Sequence, residues 1–164
     1  MELSPKDTIS TTWLVCSPET IGRFSGVAYF FARKVYEETN IPIGIINSSW
    51  GGTIVETWTS LEAANTLPQK RLDRYNKNEK LSPPTEYFTR TNKEAKRNDY
   101  PSLVYNAMIH PLLSFAIKGV VWYQGENNVG NAEPYTDWLT CMISDWRNRW
   151  NSELPFYIIH LPNF

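Results

Sequence analysis

Between Gly22 and Thr39 apolar residues return every third or fourth position, at Phe24, Val27, Ala28, Phe31 and Val35, while Arg33, Lys34, Glu37 and Glu38 fill the other face. That period is helical and predicts a helix over this stretch. Asn40 and Pro42 end it, because Pro has no backbone N–H with which to continue. Ile43-Gly44-Ile45-Ile46-Asn47 follows at once, a short, β-branched and nearly continuous apolar run. Such a run predicts a strand buried on both faces, the habit of parallel sheets. Gly119-Val120-Val121-Trp122-Tyr123-Gln124 and Phe156-Tyr157-Ile158-Ile159-His160-Leu161 repeat the pattern. Between them, Trp138, Leu139, Met142, Ile143 and Trp146 recur at helical spacing and predict a helix from Tyr135 to Trp150. Strands alternating with helices make βαβ units, so the fold class is α/β with a parallel sheet flanked by helices.

The stretch from Gln69 to Arg97 breaks this rhythm. Basic residues outnumber acidic ones, large apolar residues are few, and Pro83-Pro84 interrupts it. It is expected to be a charged insertion, partly helical, lying over the body of the fold. A length of 164 residues suits one domain, and seven Trp with nine Tyr argue for a packed chain rather than a disordered one. The net charge of -1 offers no field to draw in nucleic acid or anionic lipid. No run approaches the roughly 20 apolar residues of a membrane span, and Met1–Lys6 has neither the basic start nor the apolar core of a secretory signal. Cys16 and Cys141 form no CxxC pair, and with two His they cannot build a zinc site of the usual spacing. Both thiols are expected to be buried, with a disulfide between them left open. Neither a metal nor an organic cofactor is implied.

Chemistry in open parallel sheets sits beyond the carboxyl ends of strands. After the first run comes Asn47-Ser48-Ser49-Trp50-Gly51-Gly52-Thr53, then Glu56 and Trp58. Paired glycines permit close backbone approach and positive φ, which can turn N–H groups toward an oxyanion. After the second run, Gln124-Gly125-Glu126-Asn127-Asn128 sets amides around a carboxylate. Taken singly, each reads more readily as turn chemistry.

Together, in this order, these stretches resemble the sialate O-acetylesterases of the SGNH hydrolase superfamily. The likeness also runs through Val15-Cys16-Ser17-Pro18-Glu19-Thr20, Gly26 to Phe31, Tyr105-Asn106-Ala107-Met108-Ile109 and Asp145-Trp146-Arg147. It implies a three-layer, flavodoxin-like sheet and a serine hydrolase in which Ser, helped by His and Asp, attacks the acetyl carbonyl. By the same resemblance Gly52 would offer a backbone N–H and Gln124 its side-chain amide to the oxyanion, with Glu126 as a supporting residue. Trp50, Gly51, Thr53, Glu56 and Asn127 would belong to the substrate-binding part, Glu56 by ordering its loop. The implied partner is an O-acetylated sugar or glycan, and enzymes of this type are often exported to meet glycans. Trp50, Trp58 and Trp122 offer rings for stacking on sugars, though core packing is the expected role for most of them.

The family's Gly-Gln-Ser-Asn nucleophile stretch does not occur here, and Asn127 stands where the family commonly has Ser. The chain is therefore expected to be the central part of an incomplete fold, without the first strand that bears the nucleophile and without the C-terminal Asp/His motif, and inactive in isolation. Ser48 and Ser49 are explained by turn chemistry, and His110 and His160 are expected to be core or hydrogen-bonded residues. A non-catalytic carbohydrate-binding module, or one subunit of a split enzyme, is the alternative.

Overall fold

The protein is described by a computed structural model over residues 1–83 and 100–162. Its backbone divides into two compact units, one of Ser10–Ser49 and one of Met1–Ile9 with Trp50–Phe164.

In the smaller unit a single turn, α1 (Pro18–Ile21), precedes α2 (Gly26–Thr39). Thr20 Oγ1 closes α1 by accepting the Ser17 backbone N–H at 3.0 Å and donating to the Val15 carbonyl at 2.8 Å. The Ser25 hydroxyl caps α2 by accepting the Ala28 N–H, so the helix starts at Gly26 and not at Gly22. Asn40, left-handed at φ 54°, ends it with an N–H to the Tyr36 carbonyl. Arg33–Glu37 and Lys34–Glu38 pair along its polar side. Of the α2 residues only Ala32 is buried, and Val27, Phe30 and Phe31 are exposed.

The strand expected at Ile43–Asn47 is not formed, and Ile43 and Ile46 are exposed. A strand exists only through a hydrogen-bonded neighbour, and none of the described residues supplies one. The expectation of a buried Cys16 is also corrected. This thiol is exposed, in an extended segment whose neighbours Leu14 and Val15 are exposed as well. Both cysteines are free.

In the larger unit a 3₁₀ turn (Val55–Trp58) leads to two short helices, α3 (Leu61–Ala64) and α4 (Gln69–Leu72). A π-helical turn (Tyr105–Ile109) runs into a 3₁₀ turn (His110–Leu112). There follow β1 (Val120–Trp122), a 3₁₀ stretch (Glu126–Asn131), α5 (Tyr135–Trp150) and β2 (Phe156–Ile158). β1 and β2 pair in parallel, Val120 with Phe156, Val121 with Tyr157 and Trp122 with Ile158. The fold is α/β with a small parallel sheet. Both strands are shorter than expected, and burial on two faces does not hold, since only Trp122 is buried while Tyr157 and Ile158 are exposed.

α5 turns Trp138, Met142, Asp145 and Trp146 inward, the i, i+4, i+7, i+8 face of a helix. Trp122 stands edge-on between Trp58 and Trp146, with ring centres 5.8 and 6.1 Å apart. The Trp146 indole donates to the Trp58 carbonyl at 3.0 Å, so the apolar stack carries its own polar tie. Asp145, buried on the same helix, accepts the Ser60 N–H at 3.0 Å and Arg149 Nε at 2.7 Å, while Arg149 also reaches the Ser60 hydroxyl and Glu62. Cys141 is half-buried, donates to the Ala63 carbonyl, and has its thiol pushed up to about 11 by burial.

Of the charged insertion expected at 69–97, residues 84–97 lie outside the described residues. Its described part includes α4, where Leu72 is buried, and continues to Leu81, also buried. Arg71 of α4 bridges to Glu133 and Asp137. Among the described residues no helix is long and apolar enough to cross a membrane.

Trp138 is fully buried and meets Tyr75 edge-on at 6.2 Å. Trp138→Ala is expected to cost about 3–5 kcal/mol, the range for emptying a buried aromatic site. Urea unfolding followed by circular dichroism measures it, and a loss below about 1 kcal/mol would contradict this account of the core.

Candidate active site

Two loops meet in the larger unit. The first is the Trp50–Thr53 turn. Gly52 sits at φ 75°, where a side chain is strained, so this glycine is required by the backbone. Gly51 has neither positive φ nor a close neighbour. The Thr53 hydroxyl donates to the Trp50 carbonyl at 2.9 Å and accepts the Trp58 indole N–H at 3.0 Å, so the turn is tied to the core. The second loop follows β1. Gly125 sits at φ 151°, and a Cβ there would lie 2.9 Å from a Leu161 methyl carbon. Only glycine lets the chain leave the strand in this way.

Side-chain amides join the loops. Gln124 Nε2 donates to the Thr53 carbonyl at 2.9 Å and to Asn128 Oδ1 at 2.8 Å. Gln124 Oε1 accepts the Tyr135 hydroxyl at 3.2 Å. Asn128 Oδ1 also accepts the Val55 backbone N–H at 3.0 Å, and Asn128 Nδ2 donates to Glu56 Oε2 at 2.9 Å. Glu56 is 1% exposed and Asn128 3%. Burial raises the Glu56 carboxyl above its ordinary 4.5, opposed by the hydrogen bonds from Asn128 and its own backbone and by Arg74 and Tyr75 nearby. Burial likewise raises the Tyr135 phenol. A cavity of about 270 Å3 lies against Glu56, with Lys70, Arg71, Arg74, Tyr75 and Glu133 among its walls.

Thr53, Glu56 and Gln124 are thus brought into one hydrogen-bonded group. Trp50, Gly51 and Gly52 lie exposed at its edge, and Glu126 and Asn127 point into solvent from the second loop. Trp58 and Trp122 are core residues, as expected of most of these rings, while Trp50 is 45% exposed. Asn128, named from the sequence within the Gln124–Asn128 stretch but given no role, and Tyr135, not singled out for the site, join the group. The signal for Asn128 was its place four residues after Gln124; Tyr135 gave none beyond starting a helix. In the smaller unit, the Ser49 hydroxyl donates to Asn47 Oδ1 at 2.6 Å, a local turn contact. His110 Nδ1 lies 3.0 Å from the Lys6 carbonyl oxygen, and His160 Nδ1 lies 2.8 Å from that of Leu161. The arrangement sets a side-chain amide beside a glycine turn, with the buried Glu56 carboxyl behind it.

A family model described as "Carbohydrate esterase, sialic acid-specific acetylesterase" matches residues 17–164. A rat protein named sialate O-acetylesterase is 32% identical over 92% of this chain and 31% of its own length. The human sialate O-acetylesterase is 34% identical over 89% of this chain and 26% of its own. The crystal structure of a carbohydrate acetylesterase from Xanthomonas citri superposes with a TM-score of 0.74 at 32% identity, covering 94% of this chain and 30% of that one. The chain spans about three tenths of the length of the relatives it matches.

The raised Glu56 carboxyl has a consequence for stability. The folded chain holds this proton more tightly than the unfolded chain does. Stability from this group is therefore greatest below 4.5 and falls as pH climbs from there through the raised value. Glu56→Gln cannot ionise and lacks that fall, so the variant should gain on the wild type across the window. Urea denaturation from about pH 4 to about pH 7 compares them, and parallel pH profiles would contradict the assignment.

Proposed function

The chain belongs to the sialic acid-specific acetylesterase family of carbohydrate esterases, and from that premise we propose that the whole protein is a serine-type esterase releasing acetate from O-acetylated sugars, sialic acid first among them. The proposed architecture is a three-layer, flavodoxin-like SGNH sheet to which β1 and β2 contribute. Its nucleophile strand and its Asp/His motif are taken to lie outside these residues.

In the proposed reaction the serine oxygen attacks the acetyl carbonyl carbon, and its proton passes to His. The tetrahedral oxyanion collapses, the sugar oxygen leaves with that proton, and water releases acetate from the acyl-enzyme. Gly52, through its backbone N–H, and Gln124, through Nε2, are the proposed oxyanion donors, with Glu126 in support. Trp50, Gly51, Thr53 and Asn127 are proposed to meet the sugar, and Glu56 to hold the loop behind them.

The observation that carries this reading is the contact between Gln124 Nε2 and the Thr53 carbonyl. It sets the amide beside the glycine turn, as a shared oxyanion hole requires. Both Gln124 donor hydrogens are engaged, so an oxyanion must displace one neutral acceptor, an exchange that favours the charged group. The same engagement favours a second reading, a carbohydrate-binding module without turnover. Acetate release from O-acetylated N-acetylneuraminic acid by the whole protein separates the two: turnover supports the esterase, and binding with no release from this or any acetylated glycan overturns it.

In the active protein Gln124→Ala is expected to lower kcat about a hundred- to a thousandfold, with the fold retained by circular dichroism. Wild-type turnover in that variant would remove Gln124 from the oxyanion hole.

A further inference from the structure

We propose that Asn128 is the positioning residue of this site: it fixes which end of the Gln124 amide faces the Trp50–Thr53 turn, and the buried Glu56 acts through it. The two ends of a primary amide have nearly the same shape, so their partners alone decide the orientation. A backbone N–H can only donate, so the Asn128 atom facing Val55 at 3.0 Å must be oxygen. An ionised carboxyl can only accept, so in that form of Glu56 the Asn128 atom facing it at 2.9 Å must be the NH2 nitrogen. Two independent neighbours therefore impose the same orientation.

That orientation is passed on. Asn128 Oδ1 meets Gln124 at 2.8 Å, and only the Nε2 end of Gln124 can answer an oxygen. The second Nε2 hydrogen finds the Thr53 carbonyl, again an acceptor only, and Oε1 is left for the Tyr135 hydroxyl. Turning either amide would set N–H against N–H or oxygen against oxygen. Water offers little repair, because Asn128 is 3% exposed and Glu56 1%. Glu56, 1% exposed, thus joins the Val55 N–H in setting the polarity of the chain of amides that ends at the glycine turn.

The orientation stands on geometry alone, while its effect on turnover rests on the esterase reading above. The test is exchange and chemical shift of the Gln124 side-chain amide by 15N–1H NMR, assigned by its loss in Gln124→Glu, together with kcat and KM for acetate release by the whole protein. In the wild type both amide protons should exchange slowly. In Asn128→Ala they should exchange at least about tenfold faster, and kcat should fall by about tenfold with KM little changed, the effect of one buried hydrogen bond. Glu56→Gln keeps an acceptor for Asn128 Nδ2 and should keep the slow exchange. A folded Asn128→Ala with wild-type amide signals and wild-type kcat overturns the proposal. Should that variant fail to fold, a wild-type Gln124 amide exchanging as fast as an exposed glutamine overturns it equally. Absence of acetate release from the wild type defeats the esterase reading and leaves the amide measurement to decide the positioning role.

Discussion

A carboxylate taken out of water has to be met by hydrogen-bond donors, and Glu56 is met by a side chain 72 residues further along the chain. Much of the larger unit follows from that need. Glu56 lies in the 3₁₀ turn after the glycines, and the Asn128 that satisfies it lies in the 3₁₀ stretch after β1. Asn128 also takes the Val55 N–H, a donor at the start of the first of these turns that no helical carbonyl reaches. The ends of a long excursion, which carries α3, α4 and the charged segment, are thereby closed on each other. Loop-closure cost rises only slowly with length, so a few buried hydrogen bonds with the packing beside them suffice to hold it.

The apolar side of the same turn supplies that packing. Two residues after Glu56, Trp58 lies edge-on to Trp122, which itself stands two residues before Gln124. Turn and strand are thus joined twice, by indole rings on the inner side and by amides at the rim. Trp146 from α5 backs the first junction, and Tyr135 at the start of that helix closes the second. One helix therefore supports both the core and the polar group, and the distance between its two contributions is set by its own rise. Asp145 and Arg149 extend the hold to Ser60, where α3 begins.

Legibility in the sequence followed the range of the interactions. α5 was readable residue for residue, because five large apolar side chains recur on one face and nothing else is needed to define it. α2 was readable except for its start, which the Ser25 cap decides. Strands were over-read, since an apolar run reports burial potential and says nothing of whether a neighbour is present to pair; Ile43–Asn47 is the clearest case. Cys16 failed for a related reason, because a small apolar residue is buried only where something covers it. At the candidate site the glycine turn, Glu56 and Gln124 were marked by unusual composition at strand ends. Asn128 was marked in the same stretch as Gln124 but given no role, because an amide in a turn has a sufficient local explanation and two of its partners, Val55 and Glu56, lie more than seventy residues away.

Under the oxyanion role proposed for Gln124, a donor that is already bonded is an advantage, because it is preorganised. A free glutamine spreads over many rotamers, and a developing charge would have to order it at the moment of reaction. Gln124 is ordered beforehand by neutral acceptors, the Thr53 carbonyl and Asn128 Oδ1, which hold its N–H groups at the glycine turn. Those acceptors compete weakly with a full negative charge, and Asn128 Oδ1 keeps the Val55 N–H when Gln124 lets go. Exchange then costs one neutral hydrogen bond and gains a charge-assisted one, with no search for orientation. Glu56 is separated from the turn by Asn128, whose Nδ2 donates to it, and by Gln124, whose Nε2 donates to Asn128 Oδ1 and to the Thr53 carbonyl. In the proposed site Glu56 would act on the Gln124 amide through Asn128, without itself standing where the oxyanion forms.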